Sequence, residues 1–350
     1  MEPRLAALGW DSAWEAVRAT VTTDHLEPAR VAVQHRGAYV LYTAAGETAA
    51  AVSGRFRHDT RAPADFPAVG DWVLVREGVI HAVLPRRTAF SRKAADTLAE
   101  EQIAAANVDV VFVVEALGDT PNLRRIERYL AVAYESGARP VVLLSKTDLA
   151  PAPEAALAAV AAIAPGTPVH SVSAYTGEGL DVLATYCTSG RTAVFLGPSG
   201  VGKTTLLNAL TGDRRPTAAV LADGRGRHTT THRELVLVNG RGIVIDTPGM
   251  RELQLWDSDG GLSAVFADID ALAARCRFDD CGHAGEPGCA IRAALDAGTL
   301  AADRYAGYRK LAREEAFITQ KRDAVARSEV KRQRKIFARS VRRKGWRGRQ

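Results

Sequence analysis

The sequence contains no run of eighteen or more uncharged apolar residues, so a membrane-spanning helix is not expected. Its first residues, MEPRLAALGWDSAWEAV, carry charges throughout and lack the apolar core of a secretion signal. Cysteines are few, four in all, and three of them fall within fourteen residues, a clustering that favours a metal site over disulfides. These absences favour a cytoplasmic protein without a membrane partner.

An excess of positive charge is missing from most of the chain and is found only at its end. The last twenty residues hold ten Lys or Arg and no acid, whereas the other 330 hold 36 basic against 40 acidic residues. Such a basic block suggests a polyanionic partner, although a solvated tail is the alternative. The length of 350 residues suggests two or three domains, and the apolar content of 47% suffices for packed cores.

The hydrophobic pattern changes several times along the chain. Residues 1–27 show a helical stripe, and short β-prone runs over 28–92 favour a small antiparallel barrel or sandwich, between which the pattern does not choose. From about residue 94, apolar strands alternate with helix-like stretches at 122–136, 153–163 and 178–186, which predicts a parallel sheet covered on both faces. After residue 262 the strands stop, and a long charged helix from residue 303 is expected to extend from the body.

A P-loop signature lies between an apolar strand and a helical run. Residues 197–204, GPSGVGKT, satisfy G-x-x-x-x-G-K-[ST]. Glycines let backbone N–H groups turn inward around phosphates, and the following helix N-terminus adds partial positive charge. Lys203 is expected to reach the β and γ phosphates, and Thr204 to ligate Mg²⁺. The predicted phosphate-binding residues are Gly197, Pro198, Ser199, Gly200, Val201, Gly202, Lys203, Thr204 and Thr205.

Two loops that precede the P-loop predict the base. One is similar to the N-K-x-D motif of GTPases and comprises Ser145, in the place of Asn, with Lys146, Thr147 and Asp148. A carboxylate at Asp148 accepts from guanine N1–H and N2–H₂ together, whereas adenine presents an acceptor at N1, so GTP is favoured over ATP. In the other loop, Ser173 and Ala174 begin SAYTGEG, which resembles the loop whose backbone N–H contacts guanine O6.

Two candidate switch segments follow the P-loop. In DTPG (246–249), Asp246 is expected to hold Mg²⁺ through water, and the Gly249 N–H to sense the γ phosphate. In GRHTTT (226–231), Thr230 is expected to complete the Mg²⁺ shell. GTPase motifs are numbered G1 to G5 in their ordinary order along the chain. Here the N-K-x-D-like loop is G4, SAYTGEG is G5, the P-loop is G1, GRHTTT is G2 and DTPG is G3. The five loops therefore run in the order G4-G5-G1-G2-G3, a circular permutation of the ordinary GTPase order. The sheet still closes, because each loop needs only its place at the carboxyl end of a strand.

The clustered cysteines have the spacing of a zinc site. Cys276, Cys281, His283 and Cys289 supply three thiolates and one imidazole, a closed tetrahedral set suited to one structural Zn²⁺ per chain. Cys187 lies elsewhere and is expected to be an ordinary buried residue.

Taken together, these motifs resemble the RsgA (YjeQ) family of circularly permuted ribosome-biogenesis GTPases. The resemblance spans roughly residues 30–320 and rests on the cysteine–histidine cluster and on PAVGDWV (67–73), LPRRTAFSRK (84–93), SAYTGEG (173–179), GPSGVGKTTL (197–206), GRHTTTHREL (226–235) and DTPGMREL (246–253). It implies an N-terminal OB-fold, a permuted GTPase domain and a zinc-bearing helical domain. It also implies GTP and GDP as ligands, and late maturation of the small ribosomal subunit, with its rRNA, as the role.

With that resemblance, five regions are predicted: a helical lead-in (1–27), an RNA-binding OB-fold (28–93), the permuted GTPase domain (94–262), the zinc-binding helical domain (263–325) and a basic tail (326–350). A Gln orients the attacking water in Ras-like enzymes, but Met250 occupies that position here, which predicts slow intrinsic hydrolysis that ribosomal particles accelerate. His228 is the candidate substitute, with packing or phosphate contact as its alternative. A monomer is expected.

Two other functions are compatible with part of the pattern. One is an RNA-binding assembly factor whose nucleotide site is mainly a structural latch, which the barrel, the tail and Met250 permit. The other is a P-loop ATPase or kinase, against which Asp148 and the set of five loops argue.

Overall fold

The computed structural model describes residues 2–21, 25–35, 37–60, 62–93, 101–117, 120–150, 152–212, 233–238, 242–246 and 260–321. The chain begins with two short helices, α1 (Pro3–Ala7) and α2 (Ser12–Thr20). Their apolar stripe packs inward as predicted: Leu5, Leu8 and Trp14 are buried beside Trp72 of the following barrel. None of the described helices combines the length and apolar character needed to cross a membrane.

Five strands then close into a barrel: β1 (Glu27–Gln34), β2 (Tyr39–Tyr42), β3 (Glu47–Val52), β4 (Trp72–Arg76) and β5 (Val79–Val83). Strand β1 pairs with both β2 and β4, and β5 closes the barrel between β4 and β3. The β3–β5 pairing is parallel and the others are antiparallel. Because the five strands close on themselves, the region is a barrel and not a sandwich. The barrel agrees with the predicted OB-fold. Helix α3 (Gly54–Asp59) lies between β3 and β4.

A two-stranded hairpin, β6 (Ala89–Lys93) with β7 (Glu101–Ala106), connects the barrel to the second sheet. The barrel approaches β7 so closely that a Cβ on Gly70 would lie 2.1 Å from the Ala106 carbonyl oxygen. Gly70 has a φ of 92°, so this turn needs glycine for two reasons. Next to it, the buried Asp71 carboxylate accepts two hydrogen bonds from Arg86, at 2.7 and 2.8 Å. This pair joins two of the sequence motifs that carry the family resemblance.

The second sheet contains β8 (Val110–Ala116), β9 (Arg139–Ser145), β10 (Val169–Val172), β11 (Thr192–Leu196), β12 (Glu234–Leu237) and β13 (Ile243–Asp246). Their spatial order is β10-β9-β8-β11-β13-β12, and only β12 runs antiparallel. The P-loop strand β11 therefore lies in the middle, between strands that precede it in the chain and strands that follow it. The predicted parallel sheet and the permuted order are confirmed.

Helices cover both faces of this sheet, namely α4 (Leu123–Glu135), α5 (Pro153–Ile163), α6 (Leu180–Tyr186) and α7 (Lys203–Thr211). Alternate residues of β8 enter different cores because successive strand side chains point to opposite faces. Val111 and Val113 pack with the α4 and α5 side, and Phe112 and Val114 with the α6 and α7 side. Cys187 is fully buried in the second of these cores, as predicted.

After the sheet, the described residues form four helices: α8 (Gly261–Val265), α9 (Ala267–Ala273), α10 (Ala290–Asp296) and α11 (302–321). The expectation that the last helix extends from the body is wrong for its first part, residues 302–314. Tyr305 and Leu311 of α11 are buried in the same core as α4, and Arg304 donates to the buried Glu127 at 2.7 Å. A second ion pair, Arg128 with Glu314 at 2.7 Å, fixes the helix further along. Burial raises the pKa of Glu127, against the attraction of two neighbouring arginines.

The barrel and the central sheet are joined at two places. Strand β1 pairs with β12 at Val33 and Glu234, so the strands form one continuous sheet. Nearby, the buried Arg30 guanidinium donates to four acceptors: the carbonyl oxygens of Leu8, Gly70 and Asn107, and the Thr192 hydroxyl. Burial lowers the pKa of Arg30 to about 10, which leaves it charged at neutral pH. One side chain thus ties the N-terminal helices, the barrel and the P-loop strand together.

Candidate nucleotide-binding edge and metal centre

The P-loop follows β11 at the carboxyl edge of the central sheet. A Cβ on Gly197 would lie 2.3 Å from the Val114 carbonyl oxygen of the neighbouring strand, so only glycine fits there. Gly200 and Gly202 have φ values of 79° and 98°, the left-handed conformation in which successive N–H groups converge on one point. Helix α7 begins directly afterwards, and the first N–H groups of a helix have no intrahelical partner. The loop therefore has the form of an anion site.

The Lys203 ammonium lies across this loop. Its Nζ donates to the carbonyl oxygens of Gly197 and Pro198, at 2.8 and 2.7 Å. A phosphate at this position would offer stronger, charged acceptors to the same donor. Beside it, Thr204 is half-buried and Thr205 exposed on the first turn of α7.

The base loop after β9 is bonded directly to the P-loop. The Ser145 hydroxyl is buried and lies 2.6 Å from the Val201 carbonyl oxygen, to which it donates. The Glu115 carbonyl oxygen lies at 3.3 Å from the same hydroxyl, on β8. Ser145, which stands where the N-K-x-D motif has Asn, therefore connects three segments of the edge. Its side chain is directed into the protein, away from solvent.

A second serine fixes the Asp148 carboxylate. The Ser173 hydroxyl donates to Asp148 Oδ1 at 2.5 Å and accepts from the backbone N–H groups of Tyr175 and Thr176, at 3.2 and 3.1 Å. Ser173 is fully buried, whereas Asp148 is exposed. The loops after β9 and β10 thus meet, and they present one oriented carboxylate at the surface of the edge.

The other residues predicted to bind nucleotide or Mg²⁺ at this edge differ in their burial, and some of them lie outside the described residues. Lys146 has left-handed backbone geometry with a φ of 63°, and Ala174 is half-buried next to Ser173. Thr147 is buried, and its hydroxyl has no hydrogen-bond partner among the described residues. Asp246 ends β13, where the parallel pairing of Ile245 with Val194 places it level with Phe195, near the end of β11. His228, Thr230, Gly249 and Met250 lie outside the described residues.

The predicted metal ligands come together in space. The ligand atoms of Cys276, Cys281, His283 and Cys289 all lie within 4.8 Å of one another. His283 Nδ1 is 3.6 Å from the sulfurs of Cys276 and Cys289. Zn–S bonds of about 2.3 Å in a tetrahedron require separations of this size, so the four side chains fit a zinc ion.

Comparisons with known proteins agree with this geometry. The sequence model of the RsgA GTPase family matches residues 83–256. The chain is 48% identical to the small ribosomal subunit biogenesis GTPase RsgA of Opitutus terrae, over 95% of this chain and 96% of the relative. A relative of the same name from Streptomyces coelicolor is 46% identical, over 95% of this chain and 92% of its own length. The chain belongs to the RsgA GTPase family.

Solved structures support the same conclusion. YjeQ from Thermotoga maritima is 26% identical, with a TM-score of 0.60 over 82% of this chain and 97% of that one. YloQ, described as a circularly permuted GTPase, has a TM-score of 0.57 at 23% identity, over 87% of this chain and 97% of that one, and supports the fold. As a member of the RsgA GTPase family, the chain is a GTP-hydrolysing enzyme, which implies GTP, GDP and Mg²⁺ as ligands.

Sequence reasoning missed one residue that organises the metal loop of this RsgA-family chain. Glu286 accepts hydrogen bonds from the N–H groups of Gly282, Ala284 and Gly285, at 2.7 to 3.0 Å. Backbone N–H groups, first its own and then that of Ala284, lower the pKa of Glu286 to about 2. The carboxylate shapes the turn that carries His283. The sequence signal for this role is an acid between Gly285 and Pro287, inside the spacing of the metal ligands.

Proposed function

We propose that this chain assists late maturation of the small ribosomal subunit, by binding it in one nucleotide state and leaving it in another. The observation that carries the proposal is the joined carboxyl edge, where Ser145 bonds the base loop to the P-loop and Ser173 orients Asp148. The near full-length relatives are named small ribosomal subunit biogenesis GTPases. The proposal places the chain in the cytoplasm as a monomer.

In this proposal, each part of the edge has a distinct task. The P-loop residues 197–205 bind the phosphates, with the Lys203 ammonium transferring from its two carbonyl partners to the β and γ phosphates. Mg²⁺ supplies charge neutralisation between these phosphates, and Thr204 and Asp246 are its proposed ligands. Asp148 accepts from guanine, Lys146 lies along the base, and the backbone of Ser173 and Ala174 meets guanine O6. Thr230 and Gly249 complete the site from the switch segments.

The proposed hydrolysis is slow in the free protein because Met250 cannot orient water, and His228 takes that task when the particle is bound. The barrel and the basic tail are the proposed rRNA contacts, since Lys and Arg gain affinity from counterion release. Nucleotide turnover then times release from the particle.

GTP turnover with and without purified small ribosomal subunits tests this function. We expect a slow basal rate, acceleration by subunits, and loss of both rates by about 10²- to 10³-fold in Lys203→Ala, because one phosphate contact is removed. Lys310→Ala, at an exposed lysine of α11, is the control and should turn over like the native chain. If subunits bind but leave turnover unchanged, the structural-latch function replaces this one.

We also propose that Cys276, Cys281, His283 and Cys289 hold one structural zinc ion per chain. The zinc content of purified protein should be about one, and Cys281→Ser should lower it and loosen α10 and α11 more than the sheet. Metal analysis together with amide hydrogen exchange measures both effects. Cys187→Ala, at a cysteine outside the cluster, should keep its zinc. The proposal would be contradicted by protein that contains no zinc and whose C-terminal helices are protected from amide hydrogen exchange as well as the sheet is.

A further inference from the structure

A broad polar cleft lies at the amino edge of the central sheet, opposite the nucleotide loops. It has a volume of about 720 Å³ and is bordered by the N-terminal helices, the barrel and the starts of β8, β9 and β11. Its shape is held by close backbone contacts, since a Cβ on Gly9 of the α1 end would lie 2.6 Å from the Gly190 carbonyl oxygen. The buried Arg30 stabilises the same junction by donating a hydrogen bond to the Thr192 hydroxyl. The cleft is therefore a built feature of the fold.

Arginines from four separate segments reach this cleft, whereas its acidic groups are already engaged. The two oxygens of Asp11 accept from Arg87 at 2.7 and 2.8 Å, and one of them also accepts from the Trp14 N–H. The two oxygens of Asp109 accept from Arg191 and from the Thr192 N–H, at 2.9 and 2.8 Å. Both carboxylates are neutralised within the protein, so the cleft has little acceptor capacity left.

Hydrogen-bond donors, by contrast, remain in excess. Arg139 is exposed, and its guanidinium makes no hydrogen bond or ion pair within the described part of the chain. Arg191 is also exposed and uses one of its terminal nitrogens for Asp109. The two guanidinium groups thus offer forked donors to solvent at the starts of β9 and β11. Planar, forked donors of this kind match phosphate oxygens.

The aromatic residues of the cleft narrow the chemistry of its ligand. Trp10, Trp14 and Trp72 line it, but all three are buried, and Arg87 covers the Trp14 ring at 4.2 Å. Unpaired bases would need exposed ring faces for stacking. The cleft offers charge and donors without such faces, which suits a sugar–phosphate backbone and not a base.

We propose that this amino-edge cleft binds the phosphodiester backbone of ribosomal RNA, without reading its sequence, through Arg139 and Arg191. The proposal rests on the proposed function, because it takes the small subunit as partner. It places an RNA contact on the opposite edge from the nucleotide, separate from the barrel surface and the basic tail. Contact there leaves the GTP site unobstructed.

Binding to small ribosomal subunits over a salt series tests the cleft. In the double variant Arg139→Gln and Arg191→Gln, we expect the slope of log affinity against log salt to become shallower by about two, because each lost phosphate contact removes about 0.9. Affinity should fall most at low salt. Nucleotide affinity should stay unchanged, which also shows that the variant is folded.

Arg292→Gln provides a matched control. Its side chain is 62% exposed and paired with one carboxylate, like that of Arg191, but it lies on α10. The control should keep the native salt slope. If the native chain binds no subunits, the proposed function fails; if it binds and the double variant keeps the native slope, the cleft proposal is overturned.

Two further binding experiments distinguish an RNA backbone from free phosphate and from lipid headgroups as the ligand of the cleft. Inorganic phosphate, added at constant ionic strength, should not compete with subunits at millimolar concentration if the ligand is a polyanionic backbone. Vesicles of phosphatidylserine should bind the native chain and the double variant equally weakly. Saturable competition by phosphate, or vesicle binding that depends on the two arginines, would contradict the RNA assignment.

Discussion

The two edges of the central sheet use their hydrogen-bond donors in different ways. At the carboxyl edge, two serines bond the loops to one another, and Lys203 donates to two carbonyl oxygens of the P-loop itself. At the amino edge, Arg30 donates to four acceptors from three parts of the chain and is itself buried. Contacts between the N-terminal helices, the barrel and the central sheet therefore depend on the amino edge, whereas the carboxyl edge is the proposed site of nucleotide binding.

Replacing Arg30 tests the amino edge and should have the largest effect. In Arg30→Met, four buried acceptors lose their donor, so we expect the free energy of unfolding to fall by about 3–5 kcal/mol. Urea unfolding followed by circular dichroism measures the change. Arg55→Met, at a side chain 92% exposed on α3, is the control and should change stability by less than about 0.5 kcal/mol. A loss below about 1 kcal/mol for Arg30→Met would remove the distinction between the edges.

Replacing Ser145 tests the carboxyl edge. Ser145→Ala leaves the Val201 carbonyl oxygen without its donor and frees the P-loop from the base loop. A net hydrogen bond contributes about 0.5–1.5 kcal/mol, so GTP affinity should fall up to roughly tenfold, with a smaller change in unfolding. Titration with a fluorescent GTP analogue measures the affinity. The exposed Ser189, at the other edge, gives the control variant Ser189→Ala. Equal affinities for the two variants would show that the loop connection is not needed for binding.

The smallest effect is expected from Asp11 and depends on pH. Arg87 lowers the pKa of Asp11 from 3.8 to about 2. The contribution of ionised Asp11 to the free energy of unfolding is therefore fully present above pH 4 and is lost as the pH falls toward 2. Asp11→Asn keeps the cap on the Trp14 N–H but loses the charge. Because the pair is half-exposed, the difference should stay below about 1 kcal/mol at pH 7. Thermal melts at pH 7 and pH 3 should show that difference shrinking, and a difference that grows in acid would contradict the assignment.

The carboxyl edge was largely predictable from the sequence because its parts are contiguous. Each loop follows an apolar strand within a few residues, so the motif and its context can be recognised together. The bounds of α4 and α5 also lie close to the predicted stretches at 122–136 and 153–163. What the motif could not indicate was the orientation of Ser145, since that depends on Val201 across 56 positions.

The amino edge was not predictable in the same way. Arg30 and Thr192 are 162 residues apart, and no local pattern marks either of them. Strand β7 was also missed, because EQIAAA is rich in alanine, which has little intrinsic strand preference. Pairing with β6 determined its structure. Likewise, the charged composition of α11 concealed the buried Tyr305 and Leu311.

The central position of β11 has a consequence for synthesis on the ribosome. Strands β8, β9 and β10 emerge first and can pair with one another, but the other side of β8 has no neighbour until residues 192–196 are made. At about 5–20 residues per second, that edge stays open for several seconds. An unpaired apolar strand edge is a template for wrong pairing. The permutation therefore assigns the open edge of the nascent chain to β8, whereas an unpermuted order, with the P-loop strand first, would assign it to β11.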